Sequence, residues 1–371
     1  MVDVSGIVSG IVEKIFAALT ANMVNIPILE PLINKLLQIP LVNLVVAFIL
    51  WKPAFVILFV PGLLAVTVVL LIMIWWERKL TARIQWRVGP KEVSRRTGGI
   101  IQTLADGMRY MFQEVIIHRD AHKLYFLQLP ILSFIPVLLP ILLIPAGTIY
   151  AIRSPYAIQI AVALTALLPI FILGIGWSAN NRFAFIGTVR EAFLYVAYEI
   201  PLMIAVLSMV LLYKSGDPFV IVEKQWIPGI FMNPIAFIAF LIGMVMAAGR
   251  LPFDISEADQ EIAFGPFVEY SGIIFGLVMG IAYEKLYLLS LIAAILFFGG
   301  WSGPEIAFLG ELSYAIWLFL KAFVLMGFIV MVRAIYGRYR LDQALKFGWS
   351  SLLTFSLIGF FISAGWVIWL G

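Results

Sequence analysis

Cysteine is absent from this chain of 371 residues, and histidine occurs only twice. Without thiolates the chain cannot form a disulfide, a thiolate zinc site or a cysteine-held iron–sulfur cluster of its own. His118 and His122 have the i, i+4 spacing of one helix face, but Asp120 is the only further ligand nearby. We therefore predict no metal site, and we expect any redox metal that works with this chain to be held by another protein.

Charged residues are scarce as well, at 12% of the chain, whereas hydrophobic residues make up 63%. Soluble domains have roughly a quarter charged and about half apolar residues, so lipid must cover much of this surface. No lysine- and arginine-rich tract is interleaved with aromatic residues, which argues against a nucleic-acid partner. The proportions predict an integral membrane protein that has lipids among its partners.

The start of the chain lacks the basic segment, short apolar core and small-residue cleavage site that together mark a signal peptide. Within 5–20, apolar residues recur at helical spacing against polar ones, a pattern typical of a helix lying on a membrane surface. We therefore predict an N-terminal extension with amphipathic, interfacial helices over 1–51 and a transmembrane domain over 52–371.

Long apolar runs fill the rest of the chain. Because a bilayer core takes roughly 20 apolar residues per helix, these runs predict an all-α, polytopic protein with about eight transmembrane helices. Prolines inside several runs predict kinked and tilted helices, and the sixth run is long enough to be bent or to form two helices. The runs are 53–76, 124–148, 156–176, 188–213, 232–249, 268–299, 315–335 and 348–370.

Lysine and arginine concentrate in the loops that follow the first, third, fifth and seventh runs. By the positive-inside rule these loops face the cytoplasm, including the loops at 77–123 and 250–268, and both chain termini face outward. The first loop carries interfacial tryptophans and an amphipathic stretch at 100–115. That stretch either docks a partner or belongs to an ordinary membrane-anchoring belt.

The loop after the fifth run concentrates ionisable groups, which are costly to desolvate unless they pair or line a wet cavity. Three of its acids have the spacing of one helix face. Clustered acids hinder one another's ionisation, so raised and coupled pKa values would suit proton storage and transfer, while a solvated acidic loop is the alternative. The groups are Arg250, Asp254, Glu257, Asp259, Glu261 and Glu269, and the three acids are Asp254, Glu257 and Glu261.

A second polar set lies in the fourth run, where carboxylates inside a membrane point to function by default. Glu191, Tyr195 and Glu199 follow the i, i+4, i+8 spacing of one helix face, with Tyr198 beside them. For Glu191, a salt bridge to Arg190 or Arg182 at the helix end explains the pattern equally well. Structural pairing and transport are equally open for three groups in later runs, Glu284, Lys285 and Lys321.

Further motifs occur in a fixed order between the runs. They are Glu77-Arg78-Lys79, Gln85, Arg87-x-Gly89-Pro90, Gln102-x-x-Ala105-Asp106, Gly187-x-x-Arg190, Tyr198-Glu199, Arg250-x-Pro252-Phe253-Asp254, Glu257, Glu261, Glu269-Tyr270, Gly299-Gly300-Trp301, and Arg333-Ala334 followed by Arg338-Tyr339-Arg340-Leu341-Asp342-Gln343. Over roughly 52–352 this ordered set resembles the H-subunit family of NADH:quinone oxidoreductase (complex I), whose mitochondrial counterpart is the first mitochondrially encoded subunit.

The resemblance implies a subunit without a redox centre, which closes the chamber for a lipophilic, non-covalently bound quinone. Electrons would come from an iron–sulfur cluster on a partner, and the chain would be an enzyme only as part of a complex. The implied chamber residues are Arg78, Lys79, Arg87, Arg250, Pro252, Phe253 and Asp254. The implied proton path comprises Glu191, Tyr198, Glu199, Asp254, Glu257, Asp259, Glu261 and Glu269, with Arg190 and Arg182 as supporting charges.

The resemblance also implies partners: peripheral-arm iron–sulfur and hydrogenase-like quinone-site subunits, small membrane subunits and antiporter-like pumping subunits. The chain departs from the family at Ala247, where an acid usually stands three residues before Arg250. One acidic site is therefore missing or supplied elsewhere. This and other departures indicate a divergent prokaryotic branch, with an archaeal source open, and hence a plasma membrane location.

Two other functions remain open. The chain would also fit as the equivalent subunit of an energy-converting hydrogenase or a ferredoxin-linked relative, whose chamber need not hold a quinone. The Gly299-Gly300-Trp301 and 338–343 motifs favour the quinone enzyme. A stand-alone secondary transporter using the buried acids would predict an inverted internal repeat, and the sequence shows none.

Overall fold

The computed structural model describes Lys14, 16–39 and 42–370, and this part of the chain is helical, with two isolated β-bridges and no strand. The predicted all-α fold class is confirmed. Of the predicted surface helix at 5–20, residues 16–20 are helical and most of the rest lies outside the described residues. The helices are α1 (Glu30–Leu37), α2 (Val42–Leu50), α3 (Lys52–Leu58), α4 (Leu63–Ile84), α5 (Ile101–Phe112), α6 (Lys123–Leu132), α7 (Ile135–Leu138), α8 (Ala157–Thr165), α9 (Leu168–Ser178), α10 (Arg182–Tyr213), α11 (Pro218–Lys224), α12 (Gly229–Met232), α13 (Pro234–Ala247), α14 (Asp259–Ile262), α15 (Gly272–Phe297), α16 (Leu312–Ile335), α17 (Leu341–Phe347) and α18 (Leu353–Leu370).

Seven helical segments of the described residues are long and apolar enough to cross a membrane, as expected of a multi-pass membrane protein. The first combines α3 and α4, and the last combines α17 and α18 through a π-helical turn. The segments are Lys52–Ile84, Lys123–Leu143, Ala157–Ser178, Arg182–Tyr213, Gly272–Phe297, Leu312–Ile335 and Leu341–Trp369.

The fifth predicted span, 232–249, is instead the shorter helix α13, which has 14 residues. At 1.5 Å per residue such a helix is about 21 Å long, short of the roughly 30 Å of a bilayer core. Both of its ends are set locally. Asn233 caps the start by accepting a hydrogen bond from the backbone of Ala236, and Gly249 after the end has a φ of +58°.

Helix α15 is continuous, so the sixth predicted span is neither divided nor interrupted. In its most apolar stretch, 89% of the residues are buried inside the protein, against 22% for the span formed by α17 and α18. It packs against α4, α5, α13 and α16, while α10 packs against α9, α13 and α18. Ionisable side chains on the inner faces of α15 and α10 are therefore surrounded by protein and not by lipid.

The described part of the N-terminal extension packs on the transmembrane helices. Val24 and Ile26 share an apolar cluster with Phe55 and Val56 of α3. Glu311 ties the two parts together, because it pairs with Lys52 at 3.1 Å and accepts a hydrogen bond from the backbone of Asn25. The boundary between 51 and 52, where α3 begins, stays a prediction.

Candidate functional site

Glu77, near the end of α4, is the centre of a buried ionic cluster. Its side chain is 5% exposed and pairs with Arg333 of α16 and, at 3.4 Å, with Arg250. Tyr283 of α15 donates a hydrogen bond to Glu77 at 2.8 Å, and the Arg250 guanidinium lies 4.0 Å from the centre of the Tyr283 ring. The cluster joins α4, α15 and α16. It also fixes Arg250, the first residue of the loop at 250–269 that we call the acidic loop.

The acidic loop is irregular from Arg250 to Ala258. Asp254, Glu257 and Glu261 do not share a helix face as predicted, because only the single turn α14 forms, from Asp259 onward. Pro252 has no backbone N–H, and its carbonyl accepts a hydrogen bond from the backbone of Tyr339 instead.

The segment 338–347, which includes α17, packs against this loop. Phe253 is buried between the rings of Tyr339 and Phe347. Arg338 lies 3.4 Å from Asp254, with both side chains largely buried. Burial raises the pKa of Asp254 against the opposing pull of Arg338 and Arg250.

The loop also lies directly against α10. A Cβ on Gly187 would come within 2.7 Å of the Gly265 Cα and within 2.9 Å of the Ser256 carbonyl oxygen, so only glycine allows this approach. Gly265 itself has a φ of +52°. The close packing brings the loop acids to the polar face of α10.

One ion pair and one hydrogen bond attach the loop to α10 near its start. Arg190 pairs with Glu261 at 2.5 Å, so the predicted alternative of a salt bridge between Arg190 and Glu191 is not observed. Glu269 accepts a hydrogen bond at 2.6 Å from Asn181, the residue that caps α10. Arg182 and Asp259 are exposed, and neither is drawn into this cluster.

The polar stripe on α10 forms as predicted from its spacing. Glu191 and Glu199 are each 7% exposed, within a helix that is continuous from Arg182 to Tyr213. Between them, Tyr195 donates a hydrogen bond to the carbonyl of Ala166 at 2.7 Å. The structure therefore places two carboxylates inside the protein along one face of a transmembrane helix.

A cavity of about 30 Å³ connects the loop to this stripe. Its polar lining comes from Glu191 of α10, Glu257 and Ser256 of the loop and Lys285 of α15. A cavity of about 10–15 Å³ already holds one water molecule if polar partners are present, so this one has room for water. The cavity joins the two acidic sets that the sequence presented separately.

Glu257 faces this cavity from the loop side. Burial, and then the negative charge of Asp254, raise its pKa to about 8. At neutral pH the Glu257 carboxyl is therefore protonated in most molecules and is able to give up a proton near physiological pH.

The predicted chamber residues of the first loop lie apart from this cavity. Arg78 pairs with Asp106 of α5 at 2.5 Å, and Gln102 also donates to that carboxylate. Burial opposes ionisation of Asp106, yet the hydrogen bonds from Arg78 and Gln102 hold its pKa below its usual value. The backbone at Gly89 packs against Lys79, which is half-buried. Arg87 is exposed and donates a hydrogen bond to Gln85.

Two parts of the site were missed from the sequence. In the sequence Glu77 stands out only within a motif, although a carboxylate at the end of a long apolar run already indicates a buried partner. For Lys285 the sequence pattern leaves a structural and a transport role equally open, and the structure places it in the cavity beside Tyr198, to whose hydroxyl it donates a hydrogen bond at 2.9 Å.

Residues 55–364, from α3 to α18, match the family described as NADH dehydrogenase. The H subunit of NADH-quinone oxidoreductase from Dehalococcoides mccartyi (strain CBDB1) is 37% identical over 302 residues, covering 81% of this chain and 83% of the relative. The protein of the same description from Aquifex aeolicus (strain VF5) is 36% identical over 304 residues, covering 78% and 89%.

Among solved structures, a chain of the membrane-bound sulfane sulfur reductase, an archaeal respiratory membrane complex, matches with a TM-score of 0.71 at 27% identity. The match covers 81% of this chain and 96% of that chain. Similar proteins therefore occur in multi-subunit membrane complexes. The family match over residues 55–364 contains every residue of the site described above.

Proposed function

The chain belongs to the NADH dehydrogenase family, with the H subunit of NADH-quinone oxidoreductase among its relatives, and on that premise we propose that it links quinone reduction to proton movement. In this proposal it is the membrane subunit at the junction with the peripheral arm of a complex I type oxidoreductase. It forms part of the wall of the quinone chamber and contributes protonatable groups, while the redox centres belong to partner subunits.

The observation that carries the proposal is the cavity between Glu257 and Glu191. On one side the cavity is lined by Ser256 and Glu257 of the acidic loop, which also carries Asp254. On the other side it is lined by Glu191, from which the buried face of α10 continues to Glu199. Protonatable groups thus follow one another from the acidic loop into the helix bundle, with space for water between Glu257 and Glu191. Such an arrangement supports proton movement better than it supports a purely structural role.

The chamber would form where the acidic loop and the first loop face the partner subunits. Reduction of a quinone to a quinol consumes protons and transiently adds negative charge. Arg78, Lys79, Arg87 and Arg250 would stabilise that charge, and Pro252 and Phe253 would fix the wall that carries Asp254.

Charge at the chamber would then change the proton affinity of the coupled carboxylates behind it. Asp254 and Glu257 interact electrostatically, so protonation of one changes the protonation of the other. Glu191, Tyr198 and Glu199 would continue the path inward. Asp259, Glu261 and Glu269 would serve its entrance, and the ion pair between Arg190 and Glu261 would hold that entrance in place, with Arg182 nearby on the same helix.

The partners and the location follow from the same proposal. Iron–sulfur clusters would sit on peripheral-arm subunits, because this chain has no cysteine to hold them. Small membrane subunits and antiporter-like pumping subunits would complete the membrane arm. The loops at 77–123 and 250–268 would face the cytoplasm of a prokaryotic cell, with both termini outside the plasma membrane.

One measurement tests the acceptor: reduction of a short-chain quinone by the intact purified complex in lipid, with NADH and reduced ferredoxin offered separately as donors. Quinone reduction that a quinone-site inhibitor blocks is the expected result. Electron transfer to other acceptors, with no inhibitor-sensitive quinone reduction, would remove the quinone from the proposal and leave the proton path.

A second candidate function keeps the same path with a different acceptor. The match to a chain of a sulfane sulfur reductase complex favours it, because that complex is described as reducing sulfane sulfur. A hydrogenase-like or ferredoxin-linked complex would be similar. Hydrogen evolution, or reduction of a polysulfide, by the same purified complex would favour this candidate over the quinone enzyme.

The Glu257→Gln variant should remove a pH dependence. A carboxyl with a pKa of about 8 is protonated below that pH and loses its proton as the pH rises through it. If Glu257 donates protons, wild-type turnover should fall above a pH of about 8. Glutamine has no such proton, so turnover of the variant should be low and nearly constant across this range.

The measurement is the turnover of the intact complex from mildly acidic to mildly alkaline pH. Glu223→Gln, a neutralisation of an exposed acid outside the proposed path, is the comparison variant and should keep the fall in turnover at alkaline pH. If turnover falls at alkaline pH in Glu257→Gln as it does in the wild type, Glu257 is not part of the path.

A further inference from the structure

Lys285 carries an ammonium group deep inside the protein. It lies in the middle of α15, and its exposed fraction is 3%. A buried ammonium is costly unless charge or hydrogen bonds compensate it, so a lysine at this depth needs an explanation.

The hydrogen bond that Lys285 makes to the described residues is to a neutral group. Its Nζ donates to the hydroxyl of Tyr198 at 2.9 Å and lies 5.0 Å from the centre of the same ring. An ammonium has three N–H donors, so two remain for other acceptors. The cavity that Lys285 lines has room for water to accept them.

Acidic groups of α10 and of the acidic loop lie near Lys285. The carboxylates of Glu191 and Glu199 on α10 act on it electrostatically, and Glu257 of the acidic loop lines the same cavity. The contributions of α9 and α13 to the cavity are apolar, and the acidic neighbour on its own helix, Glu284, has no part in the lining. The ammonium therefore shares the cavity with the loop acid Glu257 and is in electrostatic contact with the two helix acids.

Ala247 lines this cavity too, at the end of α13. A carboxylate there would face the same cavity as Lys285, whereas the methyl group of alanine offers no charge. The positive charge of Lys285 is therefore left to the acids of α10 and the loop.

We propose that Lys285 is the fixed positive charge that allows Glu191 and Glu199 to be ionised inside the membrane and so to accept protons from Glu257 through the cavity. The inference rests on the proposed proton path and adds a positioning residue to it. In the step itself, an O–H bond of the Glu257 carboxyl breaks and an O–H bond forms on the Glu191 carboxylate. Water in the cavity carries the proton, and the Lys285 ammonium keeps its own.

This role predicts opposite results for two substitutions. Lys285→Met keeps the length of the side chain and removes the charge, so coupled turnover should fall by about 10-fold or more. Lys285→Arg keeps the charge, because a guanidinium stays protonated, and should retain turnover within about threefold. Lys214→Met, at an exposed lysine after the end of α10, is the matched control and should behave as the wild type.

The pH profile separates electrostatics from structure. Without a nearby cation, carboxylates need a higher pH to ionise, so the residual activity of Lys285→Met should shift about one pH unit to the alkaline side. Loss of turnover with an unshifted profile and no rescue by arginine would show a merely structural lysine and overturn the inference. Wild-type turnover and pH profile in Lys285→Met would overturn it as well.

Assembly is measured on the same preparations by native gel electrophoresis. If Lys285→Met fails to assemble, the combination with Glu191→Gln and Glu199→Gln decides the question. Removal of the carboxylates that the ammonium compensates should restore assembly, and failure to restore it would contradict charge compensation. If the wild-type complex in liposomes builds no proton gradient, the proposed function itself is refuted. If the wild type builds a gradient and Lys285→Met behaves as the wild type does, only this inference is refuted.

Discussion

Substitution of Glu77 by alanine is expected to lower the stability of the protein by roughly 3–5 kcal/mol, the cost of removing one partner from a buried ion pair. The substitution would leave Arg250 and Arg333 without their shared carboxylate, and it would remove the acceptor of the Tyr283 hydroxyl. Both arginines are mostly buried, so water cannot fully replace the lost partner. The variant should unfold at a lower temperature in detergent and assemble poorly.

Thermal unfolding of the purified complex and the amount of assembled complex on a native gel measure this effect. Glu92→Gln provides the matched control, because Glu92 is 80% exposed and its partner Arg95 is 73% exposed. An exposed pair contributes about 0–1 kcal/mol, so the control should be nearly unchanged. Equal stability of the two variants would mean that the Glu77 cluster does not hold α4, α15 and α16 together.

The sequence predicted those parts of the site that depend on helical spacing. Glu191, Tyr195 and Glu199 share a face because α10 is continuous, and the repeat of about 3.6 residues per helical turn is enough to determine that arrangement. The same argument gave a wrong arrangement for Asp254, Glu257 and Glu261. Pro252 cannot donate the backbone hydrogen bond of a helix interior, and the loop is held by the distant Tyr339 instead.

Pairings between distant residues could not be predicted from spacing. Arg190 and Glu191 are neighbours in sequence, but adjacent residues on a helix point about 100° apart, so Arg190 reaches Glu261 while Glu191 faces the cavity. The partners of Glu77 come from the loop, α15 and α16, and the order of motifs gives no indication of these contacts. Such pairings arise from tertiary packing.

The departure at Ala247 has a consequence that only the structure reveals. The sequence indicated that an acid usual in the family was missing from the path, without indicating what lay near it. In the structure, Ala247 faces the same cavity as Glu191, Glu257 and Lys285. The cavity therefore retains acids on both sides, and the proposed path does not need a carboxylate at 247.

Replacement of Glu199 by glutamine is expected to reduce coupled turnover and the proton gradient by about 10-fold or more, as loss of a proton-transfer group commonly does. Glu199 is 7% exposed, and one of its carboxylate oxygens has no hydrogen-bond partner among the described residues. Glutamine matches its size but carries neither a charge nor a transferable proton, so packing and assembly should be preserved.

The location of Glu199 determines how this result is to be interpreted. It lies two turns of α10 beyond Glu191 and is in electrostatic contact with Lys285. A path that continues inward along this helix face therefore reaches Glu199 next. Glu223→Gln, at an exposed acid of α11, is the matched control and should pump like the wild type. Turnover and gradient are measured in liposomes with and without an uncoupler. If Glu199→Gln turns over and pumps like that control, the path must leave α10 before Glu199, and the buried carboxylate would then serve only to compensate Lys285.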